Sequence, residues 1–180
     1  MIIVTGMPGA GKDEFINVAK SKGLKDYHMG NVVRKFASEN DIEANDKEIG
    51  SFATNERKNH GMHIWAERTS ECVEDPDNAI IDGLRNNEEL VYYKKRFPDV
   101  MVVAIFANRK DRLDRILKRD REDDIRNLEG LVSRDNRELS WGLGNVISLA
   151  DYMIVNDKTL EKFKKSVEEF INEVILGKNY

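Results

Sequence analysis

The 180 residues carry 29 Lys and Arg against 33 Asp and Glu, a net charge of -4, with 40% hydrophobic and 34% charged residues. A chain of this length makes one domain, whose core is large enough to hold without disulfides or structural metal. Interspersed charge of both signs excludes a protein whose main task is to neutralise a polyanion, so no nucleic-acid partner is expected.

The single cysteine, Cys72, cannot form an intrachain disulfide; it suits a reducing interior and is expected to pack within the fold. His60 and His63 could share a helix face, but no further ligands adjoin them, which argues against zinc. No charged lead precedes the apolar start, and the longest apolar stretch, residues 100–107, is far short of a membrane span of about 20 residues. The expected protein is cytoplasmic, without a membrane partner.

In chain order, residues 2–5 are a branched apolar run and a predicted strand, followed by a predicted helix at 11–22. A weaker strand at 25–28 lies between Gly23 and Gly30, and helices are predicted at 31–40, 46–59 and 62–75. Then come a strand at 79–81, a helix at 87–97, a strand at 100–107, a helix at 109–120 and a strand at 152–155. In the last helix Leu160, Phe163, Val167, Phe170, Ile171, Val174 and Ile175 recur at helical spacing opposite Lys and Glu, the pattern of a helix lying on a sheet. Short, continuously apolar strands are covered on both faces. Alternation with helices gives an α/β fold with about five parallel strands, whose ligands bind beyond the strands' carboxyl ends.

Residues Gly6, Met7, Pro8, Gly9, Ala10, Gly11 and Lys12 satisfy G-x-x-x-x-G-K directly after a strand and before a helix. Glycines let such a loop turn backbone N–H groups inward around a polyphosphate, Lys12 adds a point charge, and the helix contributes its positive end. Asp13 stands where a hydroxyl residue usually ligates Mg²⁺. Two roles fit it: a hard oxygen ligand for the metal, or, with Glu14, a complement to the helix dipole.

Ile80 and Ile81 end in Asp82, a carboxylate placed to orient Mg²⁺ at the carboxyl end of a strand, and Arg85 follows within reach of an anion. Arg34, on the first turn after the weaker strand, is positioned for a second phosphate. Arg112, Arg115 and Arg119 share one helix face, and Arg134 and Arg137 return from a flap. Solvated ion-pair faces look the same in sequence, but the position beyond a strand end favours Arg115 and Arg119 as catalytic cations. Trp141 fits either simple packing or stacking on a base.

These motifs resemble the P-loop nucleoside monophosphate kinases, and within them an archaeal family related to adenylate kinase and dephospho-CoA kinase. The resemblance rests on residues 6–12, 29–34, 81–85, 121–124, 137–147 and 150–156, and spans almost the whole chain. It implies a three-layer P-loop fold as one domain over residues 1–180, an acceptor-binding insertion at about 30–75, a lid at about 119–140, and Asn156 close to the donor base. Asn31 stands where adenylate-kinase-like sequences tend to carry Asp, with only Asp26 and His28 nearby as potential bases. That favours a phosphorylated acceptor over a hydroxyl. The expected activity is ATP-dependent, Mg²⁺-assisted transfer to a small nucleotide acceptor. In it Lys12, Asp82, Arg115 and Arg119 are catalytic, and Arg34, Arg85, Arg134 and Arg137 bind the acceptor. Asp13 and Asp82 serve the metal. Hydroxyl phosphorylation of the dephospho-CoA kinase type, and a nucleotide-binding switch without small-molecule transfer, are the rival readings.

Overall fold

The computed structural model describes residues 1–97, 99–119, 125–175 and 177. Five strands, β1 (Ile2–Thr5), β2 (Lys25–His28), β3 (Ala79–Asp82), β4 (Met101–Phe106) and β5 (Tyr152–Val155), form one parallel sheet in the order β2-β3-β1-β4-β5. Successive side chains of a strand point to opposite faces. Ile3, Ile81 and Val102 therefore enter one core with Trp65 and Tyr93, while Ile2, Val4, Ile80 and Val103 enter the other with Phe15, Phe163 and Val167. Two covered faces are why β1, β3 and β4 read as apolar runs, whereas β2, at the other edge of the sheet, is the polar Lys25–His28. The fifth strand is the exception, since Tyr152, Met153 and Val155 on this sheet-edge strand are exposed.

The helices α1 (Lys12–Ser21), α2 (Met29–Glu39), α3 (Asp46–His60), α4 (Ile64–Ser70), α5 (Asn87–Arg96) and α6 (Arg109–Arg119) follow the predicted order, α4 being shorter than its pattern suggested. The last described helix is α9 (Leu160–Phe170), continued by a π-helical turn at Ile171–Ile175. Its stripe is buried at Phe163, Val167 and Ile171, but Leu160 is exposed. Cys72 is exposed, not packed, because it lies beyond the end of the shortened α4.

Two helices lack a sequence prediction: α7 (Leu128–Trp141) and α8 (Leu143–Ser148). The inward face of α7 carries Asp135 and Glu138 beside Leu131, so carboxylates interrupt the apolar period that would have revealed it. Its N-cap is Asn127, whose side chain accepts from the Gly130 amide at 2.8 Å. Replacing Asn127 with alanine is expected to lower unfolding stability by about 1 kcal/mol, measured by urea titration. The motif at 121–124 lies outside the described residues.

Candidate active site

The strand ends meet at one edge of the sheet: His28 is in register with Asp82, and Asp82 with Val4. The glycine loop leaves β1 there. Gly6 has φ 149°, and a Cβ on it would lie 2.4 Å from the Ile105 carbonyl oxygen. Gly11 has φ 111°, and its Cβ would lie 2.3 Å from Asn156 Nδ2. Both positions exclude a side chain sterically as well as conformationally. Gly11 also precedes α1 without any side-chain cap, which leaves the first amides of that helix for an anion. Lys12 Nζ donates to the Gly6 carbonyl at 3.1 Å, folding the ammonium over the loop. Burial lowers its pKa, while the nearby Asp82 acts in the opposite direction.

Facing Lys12 is Asp82. Burial works against its charge, yet Lys12, His28 and Arg85 hold its pKa at about 2. One oxygen accepts from His28 Nδ1 at 3.4 Å, whereas Oδ1 is buried with no hydrogen-bond partner among the described residues. A buried anionic oxygen without a donor suits a hard divalent cation. His28 Nε2 also pairs with Asp26 at 2.8 Å. The hydrogen bond to Asp82 raises the His28 pKa above 6.5, with burial opposing and Asp26 assisting. The stabilisation from this pairing is therefore complete below about pH 6.5 and is lost as the pH rises through the higher folded value. Titration of the His28 ring by NMR is expected to give a midpoint above 6.5 that falls in Asp82→Asn; an unshifted midpoint would contradict the pairing.

A cleft of ≈ 520 Å³ runs from Lys12 and Asp13 past His28, Asp82 and Arg34. That lies within the range of about 300–1,000 Å³ usual for small-molecule sites. Beyond Gly30, Arg34, Gly83 and Arg85 it narrows to a slot of ≈ 90 Å³ between α2, α3 and α7, walled by Val33, Ile49, Ala53 and Trp141. The predicted acceptor arginines converge here, but on acids of the protein. Arg137 donates to Asp46 at 2.6 Å, Arg134 lies 3.4 Å from the same carboxylate, and Arg85 pairs with Glu138. Arg34 lies 3.5 Å from the Asn31 side-chain oxygen.

On the other side of the loop, a second cleft of ≈ 510 Å³ is lined by Gly11, Lys12, Arg115, Asn156, Lys158 and Leu160. Asn156 donates to the Ala10 carbonyl at 2.9 Å, and Arg115 donates to the Asn156 oxygens at 3.0 and 3.2 Å and to Ala10 at 3.3 Å. Arg115 is thus fastened to the loop and to the segment after β5. Arg119, one helical turn later, reaches Asp13 at 3.7 Å and lines both clefts. Sequence reasoning did not single out Asp46, Arg57, Asp135 or Glu138; carboxylates and arginines on amphipathic helices look solvated until the partner element is known.

Residues 2–139 match the family model of an AAA domain. The UPF0200 protein TV0279 of Thermoplasma volcanium is 66% identical over 163 residues, covering 91% of each chain. The chain belongs to the UPF0200 family. A more distant UPF0200 protein, from Methanothermobacter thermautotrophicus, is 36% identical over 176 residues, 97% of this chain and 90% of the other. Among solved structures, shikimate kinase from Aquifex aeolicus and dephospho-CoA kinase from Campylobacter jejuni each superpose over 98% of both chains with a TM-score of 0.57, at 18% and 19% identity. At such identity the likeness concerns the fold: this UPF0200 chain has the five-stranded architecture of P-loop kinases, as its motifs implied.

Proposed function

We propose that the protein is an ATP-dependent phosphotransferase acting on a nucleoside monophosphate. The observation that carries the reading is the arrangement around Asp82. Its buried Oδ1 has no donor among the described residues, Lys12 faces it, and the cleft beyond leads to a second group of arginines. Phosphoryl transfer between two anions needs cations on both sides of the path, which these positions supply. Lys12 and the loop amides would hold the donor's β and γ phosphates, with the base in the cleft beside Asn156. Mg²⁺ held by Asp82, and by Asp13 if it turns from Arg119, would neutralise charge on the transferring group. Arg34 and Arg85 would hold the acceptor, residues 30–75 would form its binding insertion, and residues 119–140 would form the lid carrying Arg119, Arg134 and Arg137.

Coupled assays of ADP formation with ATP, Mg²⁺ and each nucleoside monophosphate test this reading. Turnover above the water-only rate supports it, and none on any acceptor rejects it. The Asp26–His28 pair, at 2.8 Å beside the same cleft, favours a second reading, phosphorylation of a hydroxyl with His28 as base in its neutral form, above its raised pKa. Turnover confined to dephospho-CoA in the same assay would select it.

A further inference from the structure

The slot between α2, α3 and α7 carries more positive than negative charge. Among the described residues, Arg34, Arg57, Arg85, Arg134 and Arg137 line it against Asp46 and Glu138, and Glu89 takes up the charge of Arg57 at 2.9 Å. A surplus of half-buried cations is most stable with a further anion beside it. Glu138 is a fixed part of the wall, since its side chain is 4% exposed and pairs with Arg85. Asp46 is different. Its side chain is 23% exposed, and it meets Arg137 at 2.6 Å and Arg134 at 3.4 Å. It is also the first residue of α3, so away from the arginines its carboxylate would keep both solvent and the positive end of its own helix.

The rest of α3 holds α7 in place without that carboxylate. A Cβ on Gly50, one turn after Asp46, would lie 2.7 Å from Cζ and Nε of Arg137. Glycine weakens a helix interior relative to alanine, and here the missing side chain is what lets the guanidinium lie across α3. One turn further, Thr54 accepts from Trp141 Nε1 at 3.1 Å and anchors the end of α7. Resting on the phosphotransferase reading, we infer that Asp46 is an exchangeable counter-ion, which occupies Arg134 and Arg137 in the resting protein and yields them to the phosphate of the acceptor. Asp46 thereby sets acceptor affinity and restricts the site to phosphorylated acceptors. A phosphate monoester brings a charge of about −1.5 to −2 and three oxygens to the exchange, whereas an uncharged nucleoside has nothing to offer in place of the carboxylate. Arg134 also lines the larger cleft with Lys12 and Asp82, so a phosphate held by it faces the transfer path.

Calorimetry on the full chain tests the inference, with AMP, GMP, CMP, UMP and their parent nucleosides, and with ADP and Mg²⁺ titrated separately. Asp46→Asn keeps the size of the side chain and removes its charge; it is expected to bind the preferred monophosphate about tenfold more tightly than wild type, with nucleoside affinities unchanged and ADP binding retained. Arg137→Met is expected to weaken the monophosphate by about tenfold or more, and to abolish the gain from Asp46→Asn when the two are combined. A carboxylate needed only for structure predicts the opposite sign, weaker monophosphate binding in Asp46→Asn. That result, an unchanged affinity, an equal gain for nucleosides, or a gain that survives Arg137→Met would each overturn the inference. So would an Asp46→Asn protein that does not fold, because the exchange requires α7 to stay docked without that pair, and so would binding of no monophosphate by proteins that bind ADP. If Arg137→Met fails to fold, the Asp46→Asn affinities decide. Failure of wild type to bind ADP with Mg²⁺ defeats the phosphotransferase reading itself, and the inference with it.

Discussion

Lys12→Ala is expected to eliminate measurable phosphoryl transfer while leaving the unfolding transition in place. The side chain's hydrogen bond is to the Gly6 carbonyl of its own loop, and His28 and Arg85 remain beside Asp82 when Lys12 is removed, so the fold is expected to persist. On the phosphotransferase reading its charge, by contrast, would sit where negative charge concentrates on the donor. Loss of one preorganised donor in comparable oxyanion sites lowers kcat by about 10²–10³-fold, and loss of a full charge should exceed that. Single-turnover kinetics and thermal melts on the same preparations check both halves. An active Lys12→Ala protein, or an inactive one that melts far below wild type, would contradict the role assigned to the loop.

The second large effect concerns stability. Arg112 donates to both oxygens of Asp135, at 2.8 and 2.6 Å, and to the Pro8 carbonyl at 3.0 Å; the two side chains are 5% and 1% exposed. Removing one member of such a pair leaves a buried charge uncompensated, so Asp135→Ala is expected to lose about 3–5 kcal/mol in urea unfolding. Arg112→Met with Asp135→Leu should recover most of that loss, because replacing both charges by apolar groups is close to neutral. Since Pro8 belongs to the phosphate loop, weaker ADP binding should accompany the single substitution. A loss below about 1 kcal/mol would show that the pair is not essential to holding α7 against the loop.

Four strands of the sheet were legible as short apolar runs and β2 only from the glycines that bracket it, and the loop was legible because glycines at 6, 9 and 11 stand between a strand and a helix. The second half of the site was less legible. Arg134 and Arg137 drew notice by spacing, yet α7, which carries them, was hidden by Asp135 and Glu138 on its buried face. Arg57 resembled any charged residue of a polar helix. Its burial depends on Glu89 from α5 and Trp141 from α7, contacts between residues 32 and 84 positions apart that no local pattern encodes. Arg115 was read as a cation of the transfer path from its position on α6, and its hydrogen bonds go to Ala10 and Asn156, residues 105 and 41 positions away that no local pattern pairs with it.

One carboxylate, that of Asp46, receives both Arg137 and Arg134. A phosphate entering from solvent meets guanidinium groups that already have an anionic neighbour, so it must displace that neighbour before gaining contact. Free orthophosphate has nothing else with which to offset the exchange, whereas a nucleotide brings the burial of a ring as well. On the phosphotransferase reading proposed above, the resting cleft would thereby disfavour abundant small anions without any gate.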